Sequence, residues 1–130
     1  MTNSKRKGKA GELKLVDFLK SLGFHDARRT QQHNGAAGKS DVVCEETLPN
    51  VHIECKYGVK GMDLGTKLLD DACDQAASDA GNHRWCVLWK PFGRSNWFLT
   101  CLGSRGGAIV TMYHQSAISR QLQNLNFKGM

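Results

Sequence analysis

Apolar residues in this chain recur at helical spacing in three places and at strand spacing between them. Leu15, Val16, Phe18, Leu19 and Leu22 make a stripe at intervals of three and four, which predicts a helix ending at Gly23, a natural residue after a helix end. Residues 24–30 (FHDARRT) predict a first strand with Arg28 and Arg29 on opposite faces. Two short β-type runs follow, DVVCE from Asp41 and NVHIECK from Asn50, around a turn signal at Leu48, Pro49 and Asn50. A second helix is expected over about 64–80, where Leu68, Leu69, Ala72, Cys73, Ala76 and Ala80 give a small-residue face suited to lying close on a sheet. Gln75 borders that face, and Asp70, Asp71, Asp74 and Asp79 read as its wet side. Strands are expected over 84–91, 96–101 and 108–112, and a last amphipathic helix carries Ile118, Leu122 and Leu125.

The order is therefore helix, three strands, helix, two or three strands, helix. That order predicts an α/β fold, a central mixed sheet flanked by helices. At 130 residues, with no repeat and no dividing linker, the chain reads as one domain over 1–130 with its own core.

The segment from Asp41 to Lys56 carries the chemistry. A hairpin with a four-residue loop over 46–49 pairs Glu45 with Asn50, Val43 with His52 and Asp41 with Glu54. Alternation then puts Asp41, Glu54 and Lys56 on one face, and Val42, Cys44, Ile53 and Cys55 on the other. Two carboxylates facing each other across a strand pair repel. A divalent cation between them resolves the repulsion, since hard cations such as Mg²⁺ take carboxylate and phosphate oxygens. Lys56, two residues on, can reach a phosphate or an attacking water. The pattern points to a metal-dependent nuclease. The plainer reading of the same residues is a solvated strand face with a surface ion pair.

Glu12 lies three before Leu15 and four before Val16, so it begins the inward stripe of the first helix. A carboxylate there needs a partner, or else it caps its own helix start; both readings stand.

Charge adds to the nuclease reading. Eighteen Lys and Arg against twelve Asp and Glu give +6, which suits a polyanionic partner. Residues 4–9 (SKRKGK) are either a solvated terminus or an arm for phosphates, and residues 1–8 are expected as a flexible basic arm. The loop QQHNGAAGKS over 31–40 lacks the spacing of a nucleotide-binding P-loop, so no nucleotide cofactor is expected. It is either a place for substrate contacts or a plain connection, and His33, without a second histidine at ligand spacing, is a loop residue. Five widely spaced cysteines form no C-x-x-C pair, which argues against a zinc site and for buried free thiols in a reducing compartment. No apolar run reaches membrane-span length, and the start lacks the apolar stretch of a secretory signal. Trp85, Trp89, Trp97 and Phe98 read as core or interface.

Glu12 on the first helix, Asp41 opening a strand and Glu54-x-Lys56 on the next resemble the PD-(D/E)XK nuclease superfamily, with its restriction-endonuclease-like fold. The start GKAGELKLVDFLKSLGF and the small size are similar to the archaeal-type Holliday junction resolvases, which also occur in phages. The similarity runs from about Lys5 to Lys56, is weaker through the second helix and fades after Pro91. Ser40, not proline, precedes Asp41. The resemblance implies a homodimer that binds four-way DNA junctions and nicks two opposing strands with Mg²⁺, Mn²⁺ substituting, in the cytoplasm of a cell or phage host. It implies Asp41, Glu54 and the Cys55 carbonyl as metal ligands, Glu12 completing the acidic site, and Lys56 orienting the attacking water. It also implies Gln75 as active-site support. Lys5, Arg6, Lys7, Lys9, Arg28, Arg29 and Lys39 are the expected DNA contacts. The dimer surface is expected around the four aromatic residues and the last helix. Two alternatives remain: another endonuclease on the same core, of restriction or repair type, and a non-catalytic nucleic-acid-binding module.

Overall fold

A computed structural model describes residues 2–30, 40–103 and 108–128, with side chains from residue 8 to residue 127 within those ranges. The elements are α1 (Thr2–Ser21), β1 (Arg28–Arg29), β2 (Val42–Val43), β3 (Val51–Tyr57), α2 (Lys67–Ala80), β4 (Arg84–Lys90), β5 (Phe98–Leu102), β6 (Ile109–Met112) and α3 (Gln115–Lys128). The six strands lie side by side in chain order. β1, β2 and β3 pair antiparallel, as do β4, β5 and β6. Only β3 and β4 run parallel, and a parallel pair needs a crossover, which α2 supplies. This is the expected α/β domain, a central mixed sheet flanked by helices.

Side-chain alternation on β3 and β4 divides the core. Val51, Ile53, Cys86 and Leu88 face α1 and α3, where they join Leu15, Leu19, Leu99, Ile118 and Leu122. Trp85, Val87 and Trp89 face α2, against Leu69, Ala72, Cys73, Ala76 and Ala80. The small residues of α2 let that helix lie close, as their spacing predicts. Helix α1 approaches β3 closely as well: a Cβ at Gly11 would fall 2.4 Å from the Tyr57 Cβ, so only glycine fits there.

Several boundaries differ from expectation for local reasons. α2 starts at Lys67 rather than near residue 64, because Gly65 has φ +78°, outside the helical region, and Thr66 caps the helix by accepting the Leu69 N–H. β1 is confined to Arg28–Arg29; residues 24–27 turn instead, with the Ala27 N–H on the Phe24 carbonyl. α1 begins at Thr2, so the backbone of the basic run belongs to its first turns. Glu45 and Asn50 do not pair. The Leu48 N–H turns back to the Cys44 carbonyl at 2.8 Å, while the Asp26 carboxylate accepts the Glu46 and Thr47 N–H groups. Asn50 is held by Asn126 of α3.

Most of the apolar side chains expected at a dimer surface are instead buried within the chain. Trp85, Trp89 and Trp97 are buried, Phe98 is half-buried against Trp89, and Ile118, Leu122 and Leu125 are core. These aromatic residues fill both faces of the sheet. Among the described residues, no helix is long and apolar enough to cross a membrane.

Candidate functional site

β2 and β3 pair in the register the hairpin predicts, Val42 against Ile53. One step on, the Asp41 N–H donates to the Ile53 carbonyl at 3.0 Å. The Asp41 side chain then does what a strand backbone would do: Oδ2 accepts the Cys55 N–H at 2.8 Å. The carboxylate therefore lies along the end of β2, in line with the sheet rather than standing on one face of it. Charge-assisted bonds of this kind hold a carboxylate firmly in place.

Glu54 is buried on the α2 face, and Lys56 follows it by alternation, half-buried. Glu12 reaches the same neighbourhood from α1. It sits ten residues inside the helix, so it is no cap. Its partner is Arg29, whose Nε donates to Glu12 Oε1 at 2.9 Å. Cys55 registers all of these groups. Its thiol is pushed far above its ordinary range, first by burial and then by the charges of Asp41, Glu12 and Glu54, with Lys56 opposing them. The expected placement of Asp41, Glu54 and Lys56 on one face is therefore corrected: Glu54 and Lys56 share the α2 face, the Asp41 carboxylate lies in line with the sheet on the Cys55 N–H, and Glu12 stands on α1.

A tighter cluster forms beside them. Among the described residues, the metal-capable group with ligand atoms all within 4.8 Å of one another is His52, Glu54 and Asp79. Glu12 and Asp41 stand outside it. His52 is buried, and its Nε2 lies 3.5 Å from Glu54 Oε1. Gln75, the expected support residue, donates from Nε2 to Asp79 Oδ2 at 2.9 Å. The reading of Asp79 as plain wet surface is therefore corrected: its carboxylate joins the group beside β3. Sequence spacing carried a signal for both missed residues. His52 is two before Glu54 on one strand face, and Asp79 is three after Ala76 and seven after Ala72, at the border of the buried stripe.

The expected DNA contacts divide. Lys9 is exposed on α1. The guanidinium of Arg28 pairs with Glu45 and that of Arg29 with Glu12, so both already hold carboxylates. The side chains of Lys5, Arg6 and Lys7, and all of 31–39 including His33 and Lys39, lie outside the described residues. The structure adds a cleft of about 400 Å³ past the C-terminal ends of β3 and β4, lined by Tyr57, Lys90, Phe92 and Arg94. Cations lie near rings there: Lys60 Nζ is 4.9 Å from the Phe92 ring centre and Lys90 Nζ 5.9 Å from that of Tyr57.

No family model, curated protein or solved structure matches the chain. Its chemistry is therefore read from its own side chains. All five cysteines are free. Burial, reinforced by Asp26 at Cys44 and by Asp70 and Asp74 at Cys73, pushes both thiols up to about 11, so neither is a ready nucleophile near neutral pH.

Proposed function

We propose that the chain is a Mg²⁺-dependent endodeoxyribonuclease that binds four-way DNA junctions as a homodimer and nicks two opposing strands. The observation that carries this reading is the β2–β3 register, which sets Asp41 opposite Glu54 and holds its carboxylate on the Cys55 N–H, one residue before Lys56. The donor set fits a hard cation, since Asp41, Glu54, Glu12 and the Cys55 carbonyl offer only oxygen. Such an ion, when bound, neutralises charge on a phosphodiester and activates water.

The chain's own residues supply the rest. Asp41 is held by the Cys55 N–H, so its carboxylate stays in place before any substrate arrives. Lys56, on the same strand as Glu54, brings a cation to the reacting phosphate and orients the attacking water. Glu12 completes the acidic group and is steadied by Arg29. Gln75 supports the site from α2 through Asp79. The net charge of +6 and the cleft of Lys90, Arg94 and Phe92 suit a phosphate backbone, which is gripped by charge and geometry more than by base edges.

Two symmetric nicks require two active sites, and a two-fold dimer is the commonest way to supply them. Trp85, Trp89, Trp97 and the apolar stripe of α3 are taken up by the core, so a joining surface would use other side chains.

The test is cleavage of a labelled four-way junction, a flap and a linear duplex, each with Mg²⁺ and with EDTA. Junction nicking that needs Mg²⁺ and disappears in Asp41→Asn, Glu54→Gln and Lys56→Ala, with DNA binding retained, is the expected result. Equal cutting of all three substrates would move the reading to a repair or restriction type of endonuclease. Binding without cleavage would leave a nucleic-acid-binding module. Light scattering on the free protein and its junction complex checks the dimer.

A further inference from the structure

His52 has a need that no group among the described residues meets. The imidazole is 3% exposed, and among the described residues its Nε2 has no hydrogen-bond partner. The nearest carboxylate oxygen, Glu54 Oε1, is 3.5 Å away, too long for a good N–H···O bond. Unpaired buried nitrogens are rare because they are costly. At the other ring edge, Nδ1 lies 3.0 Å from Ser40 Oγ, which also accepts the Ile53 N–H at 3.2 Å. A hydroxyl oxygen can accept two such bonds. In the tautomer whose Nδ1–H donates to Ser40 Oγ, Nε2 carries a lone pair and lies near Glu54 and Asp79.

That arrangement is what a metal-ligating histidine uses: one ring nitrogen donates to a fixed oxygen and the other binds the ion. The spacing agrees. Two ligands about 2.1 Å from a tetrahedral zinc are roughly 3.4 Å apart, and Nε2 and Oε1 are 3.5 Å apart. Asp79 closes the group within 4.8 Å, held by Gln75. His52 and Ser40 also line a cavity of about 400 Å³ with Ala80 and His83.

We propose that His52, Glu54 and Asp79 form a binding site for a borderline divalent ion of the Zn²⁺ class, with Ser40 as the positioning residue that sets the imidazole tautomer. One nitrogen among carboxylates favours such an ion over Mg²⁺. The site joins β3 to the last turn of α2, so its ion ties the crossover helix to the sheet. It does not depend on the nuclease reading, although Glu54 serves both.

The full chain, freed of metal, is titrated with Zn²⁺ by calorimetry and with Co²⁺ by visible absorption. The wild type should take a tight ion in a nitrogen and oxygen environment, and its melting temperature should rise more with Zn²⁺ than with equal Mg²⁺. His52→Gln and Asp79→Asn should abolish binding, Ser40→Ala should weaken it roughly ten- to a hundredfold, and Asp74→Asn, on the exposed side of α2, should leave it unchanged. Because a buried His52 variant can fail to fold, the wild type is also followed by imidazole ¹⁵N resonances, where Zn²⁺ should shift Nε2 of His52 more than Nδ1. No shift there, no stoichiometric ion, or a thiolate-to-Co²⁺ charge-transfer band would overturn the site. Loss of Zn²⁺ binding in Asp74→Asn would overturn it too. A chain that binds Zn²⁺ in this way but cuts no DNA would refute the nuclease reading alone.

Discussion

The two faces of the sheet are built for different purposes. Toward α1 and α3, buried side chains are uniformly apolar, from Leu15 and Leu19 through Ile53 and Leu88 to Ile118 and Leu122. Toward α2, apolar residues share the space with His52, Glu54 and Thr100, the buried polar and charged side chains among the described residues. Buried polar groups cost stability unless each finds a partner. Thr100 has its partners, accepting the Trp89 indole N–H at 2.9 Å and lying 2.7 Å from the Thr111 hydroxyl. His52 does not. Stability is concentrated on one face, which leaves the other able to carry charge under a close helix.

The sharpest break of this contrast compares Leu88 with Glu54. Leu88→Ala, fully buried on the apolar face, should cost about 2–5 kcal/mol in urea unfolding. Glu54→Gln removes a buried charge and should leave folding as stable or more so, while cleavage disappears. Equal destabilisation by the two would erase the division of labour. Next in size is Thr100→Val, which strands the Trp89 N–H and should cost about 1–3 kcal/mol; a neutral outcome would show the polar face to be loosely packed.

Gly11→Ala asks whether the apolar face also positions the site. Alanine ordinarily favours a helix by about 1 kcal/mol, but here its Cβ would press on Tyr57, a clash costing about 1–3 kcal/mol. A net loss of roughly 1 kcal/mol is expected, with reduced cleavage because Glu12 moves with α1. A stabilised variant would mean that the helix is free to shift.

The smallest effect concerns the rim of the apolar face. Burial alone would raise the Asp26 carboxyl, but the Thr47 hydroxyl and the N–H groups of Glu46 and Thr47 outweigh it and hold it below its usual value. A carboxyl lowered on folding stabilises the protein above its unfolded pKa, and that contribution fades as pH falls through the folded value. Asp26→Asn should therefore cost about 0.5–1 kcal/mol at pH 7, and the difference from wild type should vanish in strong acid. A constant difference across the acid limb would assign the loss to shape rather than charge.

Local pattern made much of this legible. Three- and four-residue spacing marks α1, α2 and α3, and alternation sorts His52, Glu54 and Lys56 from Ile53 and Cys55. The β2–β3 register follows from which residues must be buried, since a one-residue slip would reverse every side chain. These properties are decided within a turn or a strand pair, so the sequence alone determines them.

The rest needed contacts between distant segments. Glu12 finds Arg29 seventeen residues away, and Asn50 finds Asn126 seventy-six away. Asp79 reads as solvent-facing until the crossover between parallel β3 and β4 sets α2 across the strand face that carries His52 and Glu54. Asp41 turns its carboxylate in line with the sheet only because β2 ends where the Cys55 N–H still needs an acceptor. The aromatic residues that looked like spare surface are consumed by a sheet with helices on both faces. Periodicity fixes which side of an element is apolar, but what lies against that side depends on the packing of the whole chain, and only the tertiary structure decides it.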